Sequence, residues 1–129
     1  MIINKYKDEL QFIFIMKIAE SNMVDGKGLF STECVNTGGI VFTLSGEIFD
    51  HPTRESIHIG NNIHIYDEYG IFINHSFTPS CFIQNKNVVA LKDIVVGDEI
   101  TFNYNDSEIN MANPFTVNGE MVNGNKSNN

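Results

Sequence analysis

No stretch of this 129-residue chain keeps an apolar residue at every third or fourth position for long enough to predict a substantial helix. Short runs of β-branched and aromatic residues, such as Ile40 to Leu44, alternate instead with turns rich in Gly and Asn. Such runs favour strands, because branched and aromatic side chains pack well on a pleated surface. The sequence therefore predicts a mostly β protein of short strands, with at most one or two helical turns.

One hairpin is indicated by both its strands and its turn. Ile57 to Ile59 and Ile63 to Ile65 alternate isoleucine with histidine on either side of Gly60-Asn61-Asn62, which is typical of a β-hairpin. His58 and His64 fall on the face opposite the isoleucines, since successive strand side chains point to opposite faces. We expect these two histidines to face solvent.

The length predicts one domain. Residues 1–8 are polar and are expected to be flexible, and residues 9–18 predict a largely buried first strand. The ordered domain is expected over residues 9–115. Residues 116–129 are rich in Asn and Gly and contain almost nothing to bury from Asn118 onward, so we expect a disordered tail.

The charge of the chain bears on its partners. The formal net charge is −8 and the pI is near 4.8, whereas nucleic-acid binding depends on basic patches. An acidic surface favours a basic, Lys-rich protein or peptide as partner, through electrostatic steering. The alternative is that the acidic surface has no role in binding and only keeps the protein soluble. We expect no direct binding to nucleic acid.

The remaining composition argues against metal sites and membrane insertion. Two cysteines, Cys34 and Cys81, form neither a disulfide framework nor a zinc site, and the four histidines lack metal-ligand spacing. The apolar run from Leu10 to Ile18 is too short to span a membrane and has an acidic flank that is poor for a signal peptide. We therefore expect an intracellular location, in the cytoplasm or nucleus or in a bacterial cytosol.

Polar residues interrupt two of the apolar strands, at Asn74-His75-Ser76 and within Glu99 to Tyr104. A serine hydrolase does not explain them, because adjacent strand residues such as His75 and Ser76 point to opposite faces, and the chain has no Gly-x-Ser-x-Gly elbow. The Gly26-Lys27-Gly28 turn lacks the context of a dinucleotide fingerprint. Its glycines do permit close backbone approach to a ligand.

Three motifs occur in order along the chain: Gly26 to Ser31 (GKGLFS), Asn74 to Pro79 (NHSFTP), and Gly97 to Tyr104 (GDEITFNY). Together they closely resemble the SET domain of protein-lysine methyltransferases, and the resemblance covers roughly residues 20–115. It implies a β-clip fold, an assembly of small sheets with a C-terminal pseudoknot. It also implies S-adenosylmethionine-dependent methyl transfer to a lysine side chain of a protein.

The resemblance assigns roles position by position. It implies cofactor binding by Gly26, Lys27, Gly28, Asn74 and His75. It implies that Tyr104 is the catalytic tyrosine and that Phe102 lines the substrate channel, where it limits how many methyl groups are added. Tyr66 and Tyr69 are candidates for a second channel tyrosine.

These residue types suit the chemistry. Methyl transfer from a sulfonium to an amine is an in-line displacement, so catalysis rests on positioning and electrostatics. The attacking lysine must be neutral, although its reference pKa is about 10.4. An aromatic-walled channel lowers that pKa by desolvating the ammonium.

Two departures from the family pattern stand in the sequence. Ser80 occupies the place of an asparagine, and no cysteine follows Pro114-Phe115, where many SET proteins carry zinc-binding cysteines that close the channel. Either a lid is built from Phe115 or from a partner subunit, which leaves room for a homodimer, or the channel is open and turnover is poor. Two alternatives follow: a SET-like module that binds cofactor or basic peptide without turnover, and a purely structural β domain.

Overall fold

The computed structural model describes residues 16–108 and 111–124. The expected flexible residues 1–8 and most of the predicted first strand, residues 9–15, lie outside this part of the chain, as do residues 125–129. Within the described residues the protein is mostly β, as predicted. Its helical segments there are a 3-10 turn at Gly70–Phe72 and one short helix, α1, at Tyr104–Ser107.

The strands of the described residues form three small sheets and a separate hairpin. In chain order they are β1 (Met16–Glu20), β2 (Lys27–Ser31), β3 (Ile40–Thr43), β4 (Glu47–Phe49), β5 (Ile57–His58), β6 (His64–Tyr66), β7 (Asn74–His75), β8 (Cys81–Gln84), β9 (Asn87–Ala90), β10 (Glu99–Phe102), β11 (Phe115–Val117) and β12 (Glu120–Val122). The sheets have the orders β1-β2-β10-β7, β3-β9-β8 and β4-β6-β5, and β11 pairs with β12.

The first sheet joins strands that are far apart in sequence. β2 pairs with β1 on one side and with β10 on the other, both antiparallel, and β10 pairs in parallel with β7. Leu29 of β2 lies opposite Ile100 of β10, and both side chains are fully buried. This apolar pair fixes the register between the Gly-x-Gly segment and the last strong strand, because a one-residue slip would turn both side chains to the other face.

Two predicted features of the β4-β6-β5 sheet have different outcomes. The turn at Gly60-Asn61-Asn62 is present, with positive φ at all three residues, and β5 pairs with β6 as expected. The prediction that His58 and His64 face solvent is wrong, since they are only 5% and 2% exposed. Their rings pack together with centroids 4.9 Å apart.

The segment after α1 explains this burial. His58 Nδ1 donates a hydrogen bond to the Ser107 carbonyl oxygen (2.7 Å), and the His58 backbone N–H donates to the Glu108 carboxylate (2.7 Å). The residues at the end of α1 therefore cover the histidine face of the sheet. Strand alternation correctly separates the two faces, but it cannot reveal that both are covered.

The expectation of disorder from residue 116 fails for the described part of the tail. Phe115–Val117 and Glu120–Val122 form a hairpin around Asn118-Gly119, both of which have positive φ. Asn-Gly favours tight hairpin turns because both residues tolerate this conformation. Val122 is fully buried, which anchors the hairpin.

None of the helices in the described part of the chain is long and apolar enough to cross a membrane.

Candidate functional site

The parallel pairing of β7 with β10 brings two of the sequence motifs together. Asn74 lies opposite Thr101, and His75 lies opposite Phe102. Ser80, which departs from the family pattern and directly precedes β8, is bonded to β10. Its buried hydroxyl donates to the Glu99 carbonyl oxygen (2.9 Å) and accepts from the Thr101 N–H (3.0 Å).

The first part of the site lies where β2, β7 and β10 meet. The Asn74 side-chain amide donates to the Lys27 carbonyl oxygen (3.0 Å) and to Glu99 Oε2 (2.8 Å), and Ser21 Oγ donates to Glu99 Oε1 (2.8 Å). A Cβ at Gly28 would lie only 2.6 Å from Glu99 Oε2 and 3.1 Å from the Asn74 amide nitrogen. Gly28 therefore leaves the space that brings Asn74 and Glu99 against the β2 backbone. We call Ser21, Lys27, Gly28, Asn74 and Glu99 the polar cluster.

Sequence reasoning assigned only part of this cluster. Lys27, Gly28 and Asn74 were predicted, whereas Ser21 and Glu99 were missed. Glu99 stands inside the third motif, so a carboxylate interrupting an apolar strand was the available signal. Gly26 has a φ of +111° and open space at its Cβ position, and its carbonyl oxygen accepts from the Ser21 N–H (2.9 Å). It therefore shapes the turn beside the cluster.

His75 lies on the other side of β7 from Asn74, as strand alternation requires. Its Nδ1 accepts a hydrogen bond from the Tyr104 backbone N–H (3.1 Å), so the proton of the neutral ring resides on Nε2. Nε2 is buried and has no hydrogen-bond partner among the described residues. Burial lowers the pKa of His75, with a smaller opposing effect from the Asp106 carboxylate, which keeps the ring neutral.

Aromatic rings surround His75 in edge-on contacts. Centroid distances are 4.4 Å to Phe77, 5.3 Å to Tyr104 and 6.0 Å to Phe115. Phe115 is also 6.0 Å from Tyr104. The first residue of the C-terminal hairpin thus packs on the motif residues, at the place where the sequence led us to expect a lid from Phe115.

The hairpin is held without metal ligands. The Asn105 side chain donates to the Met121 carbonyl oxygen (3.3 Å) and accepts from the backbone N–H groups of Asn123 (3.2 Å) and Gly124 (3.0 Å). Among residues 16–108 and 111–124, no group of His, Cys, Asp and Glu side chains could hold a metal ion. Hydrogen bonds to Asn105, a backbone bond from the Met111 N–H to the Asn123 carbonyl oxygen (3.0 Å) and the buried Val122 therefore fix this segment.

The second part of the site is a cleft of about 500 Å³, including its open mouth. Phe102 and Tyr104 line it with their rings 4.7 Å apart, next to Ile57, Ile73 and Glu108. The Tyr104 hydroxyl donates to the Ile73 carbonyl oxygen (2.5 Å), one residue before the Asn-His-Ser motif. Burial raises the pKa of Tyr104, and the Glu108 and Glu99 carboxylates raise it further, so the phenol stays protonated at neutral pH.

Tyr66 and Tyr69 lie elsewhere. They line a separate surface depression together with Ser45 to Glu47, and Tyr66 is 37% exposed. Tyr69 packs partly against the core. The structure brings Phe102 and Tyr104 together in one cleft and does not bring these two candidates to it.

The sequence matches the model of the SET-domain family over residues 26–105, which is more than half of the chain. The protein belongs to the SET-domain family. This confirms the resemblance predicted from the three motifs. No curated protein sequence matches the chain significantly.

Solved structures of SET-domain proteins share the fold. ctPRC2 in an autoinhibited conformation bound to S-adenosylmethionine is 21% identical with a TM-score of 0.61, over 76% of this chain and 16% of that chain. A humanized mutant of the Chaetomium thermophilum Polycomb Repressive Complex 2 bound to the inhibitor GSK343 is 23% identical with a TM-score of 0.58, over 70% of this chain and 15% of that chain. The protein thus spans about a sixth of the length of these chains.

A smaller structure is covered almost completely. A candidate histone methyltransferase from Plasmodium falciparum is 25% identical with a TM-score of 0.57, over 69% of this chain and 91% of that chain. The β-rich SET fold predicted from the motifs is therefore confirmed.

Proposed function

We propose that the protein transfers a methyl group from S-adenosylmethionine to the side-chain amine of a lysine in a protein substrate. The observation that carries this proposal is the pairing of β7 with β10 in a chain of the SET family. That pairing connects the polar cluster, through Asn74 and Glu99, with the cleft lined by Phe102 and Tyr104. A cofactor site and a channel for an amine are thereby joined by two adjacent strands.

The residues present suit the amino-acid end of this cofactor. The Glu99 carboxylate can accept hydrogen bonds from an ammonium group, and it lies beside the exposed turn residues Gly26 and Lys27 because Gly28 has no side chain to displace it. The buried Nε2–H of His75 is a further donor without a partner in the described residues. When bound, S-adenosylmethionine supplies a methyl group on a cationic sulfur.

The apolar lining of the cleft favours the neutral form of the lysine amine. Ile57, Ile73 and Phe102 are buried apolar side chains, and an ammonium group surrounded by them loses hydration. This loss lowers the lysine pKa and raises the fraction of neutral, nucleophilic amine. Because buried side chains form these walls, the lysine is held in one orientation, which favours an in-line displacement.

Tyr104 orients the nucleophile. Its hydroxyl hydrogen is committed to the Ile73 carbonyl oxygen, so the phenol oxygen offers its lone pairs to an N–H of the amine. This hydrogen bond leaves the nitrogen lone pair free to attack. Since the raised pKa of Tyr104 keeps the phenol neutral, its role is orientation and not proton abstraction.

The substrate class follows from charge. With 16 acidic and 8 basic residues the protein attracts cationic segments, so a Lys-rich peptide is the expected substrate. Substrate proteins larger than a peptide would gain the same steering.

The proposal is tested by titration calorimetry with S-adenosylmethionine and by methylation of basic peptides. We expect saturable cofactor binding and methyl transfer to lysine. Tyr104→Phe is expected to keep cofactor binding and lose most of the turnover. No heat of binding at millimolar cofactor would refute the cofactor assignment.

A second candidate function is a binding module without turnover. It is favoured by two departures from the family pattern, the lack of cysteines after Phe115 and Ser80 in the place of an asparagine. Cofactor binding without transfer to any basic peptide would favour this candidate.

A further inference from the structure

A buried carboxylate faces the cleft beside the proposed catalytic tyrosine. Glu108 is 5% exposed and lines the cleft with Phe102 and Tyr104. Its backbone N–H donates to the Tyr104 carbonyl oxygen (2.8 Å) at the end of α1. The spacing of four residues across one helical turn sets Glu108 and Tyr104 on the same side of the chain.

Both hydrogen bonds to the Glu108 carboxylate end on one oxygen. Oε2 accepts from the His58 backbone N–H (2.7 Å) and from Ser107 Oγ (3.4 Å). Among the described residues, these two donors are the hydrogen-bond partners given for the carboxylate, and neither is on Oε1. Within the same residues the only ion pair joins His51 and Asp50, so no basic side chain pairs with Glu108.

An unpaired buried carboxylate is costly. Burial raises the pKa of Glu108 to about 7, against the smaller opposing effects of the hydrogen bonds from His58 and Ser107. A cationic ligand entering the cleft would supply the missing partner.

Building on the proposed methyl transfer, we propose that Glu108 receives the substrate lysine. Its carboxylate binds the ammonium group and then takes one proton from it. The products of this step are the carboxylic acid of Glu108 and a neutral amine whose lone pair is free for the displacement. The proton leaves to solvent when the methylated product is released.

Desolvation makes this proton transfer feasible. A lysine ammonium has a pKa of about 10.4 in water, and an apolar environment lowers it. The same environment raises the pKa of a carboxyl group, so the two values approach each other. A neutral acid and a neutral amine are also less costly to keep in a water-poor cleft than two ions.

The other titratable groups nearby are not placed to accept the proton of the lysine ammonium group. The titratable and charged groups around the carboxylate are Tyr104 and Asp106 on α1, His58 on β5, and Arg54 and Glu55 on the lining of the cleft. Arg54, Glu55 and Asp106 are exposed, whereas Glu108 is buried. Tyr104 stays protonated, so Glu108 is the acceptor in contact with the cleft.

The test is a double-mutant cycle on peptide binding. Wild type and Glu108→Gln are titrated with a basic peptide that contains one central lysine and with the same peptide carrying norleucine there. Loss of a hydrogen bond to a charged group predicts about tenfold weaker binding of the lysine peptide by the variant. Affinity for the norleucine peptide should not change. Glu33→Gln, which alters an exposed carboxylate outside the lining of the cleft, is the matched control.

A pH series separates charge recognition from a structural role. Wild-type affinity for the lysine peptide should rise as the pH increases through about 7, as Glu108 ionises. The variant should lack this rise. In wild type without peptide, the carbon-13 signal of the Glu108 carboxyl group should titrate near this pH, and in the complex with the lysine peptide it should keep the position of the protonated acid above this pH.

Three outcomes would overturn the inference: equal loss of affinity for both peptides, equal binding of the two peptides by wild type, or the same pH dependence in the variant. If the coupling is absent while wild type transfers methyl groups, the inference fails and the proposed function stands. If the coupling is present without methyl transfer, Glu108 still receives the ammonium group and the proposed reaction fails.

Discussion

Replacing Glu108 by glutamine should change how the stability of the protein depends on pH. Glutamine has nearly the same shape, and its carbonyl oxygen can still accept the hydrogen bond from the His58 N–H. The substitution removes only the ionisation. Any pH dependence that wild type has and the variant lacks then belongs to this carboxyl group.

The sign follows from the raised pKa. Glu108 has a pKa of about 7 in the folded protein and 4.5 in the reference state, so between these pH values the folded protein binds more protons than the unfolded chain. The free energy of unfolding therefore falls as the pH rises through this window. At about 1.4 kcal/mol per pKa unit, the loss between pH 5 and pH 8 amounts to about 2 to 3 kcal/mol.

The assay is chemical denaturation of both proteins at about pH 5 and pH 8. Relative to wild type, the variant should gain about 2 to 3 kcal/mol of stability on going from the lower to the higher pH. The histidines are common to both proteins, so their titration cancels in the comparison. A difference between the two proteins that is the same at both pH values would refute the buried, raised carboxyl group.

Three further predictions concern other parts of the molecule. Gly28→Ala places a Cβ 2.6 Å from Glu99 Oε2 and so displaces a charged hydrogen-bonding group. We expect calorimetry to show at least about tenfold weaker binding of S-adenosylmethionine, with folding retained. Unchanged affinity would mean that the polar cluster is not part of the cofactor site. Asn105→Ala removes three hydrogen bonds to the C-terminal hairpin. The amides of Asn123 and Gly124 should therefore exchange with solvent about 10- to 100-fold faster, which corresponds to about 1 to 3 kcal/mol. Unchanged exchange would mean that other contacts hold the hairpin, such as the buried Val122 and the bond from the Met111 N–H to the Asn123 carbonyl oxygen. Burial lowers the pKa of His64 below its ordinary value of 6.5, so its contribution to stability is present above pH 6.5 and is lost as the pH falls below it. In thermal denaturation, His64→Phe should therefore lose less stability in acid than wild type. An identical acid profile of the two proteins would contradict a neutral buried histidine.

The sequence predicted the local features of the fold well. The Gly60-Asn61-Asn62 hairpin was recognised because its turn residues tolerate positive φ and its isoleucines alternate. The same chemistry at Asn118-Gly119 was overlooked because the flanking residues are less apolar. The burial of Val122, which anchors that hairpin, cannot be read from its local sequence.

Tertiary packing limited the prediction of the site. Motif order indicated Asn74 and Tyr104, but not that the Asn74 amide would bond Glu99 or that the Tyr104 hydroxyl would bond the Ile73 carbonyl oxygen. Glu108 was missed because a carboxylate after a short helical turn is ordinarily solvated. Only the pairing of β5 with β6 and the covering of that sheet by the end of α1 make it buried.

The most direct test of the central claim is transfer of labelled methyl groups from S-adenosylmethionine to a lysine-containing basic peptide, with wild type and Tyr104→Phe compared at saturating cofactor. The account predicts label on the lysine side chain with wild type and a large loss of label with the variant, although the variant binds the cofactor as tightly. Equal incorporation by both proteins would contradict the role of Tyr104. Cofactor binding without any incorporation by wild type would contradict methyl transfer itself.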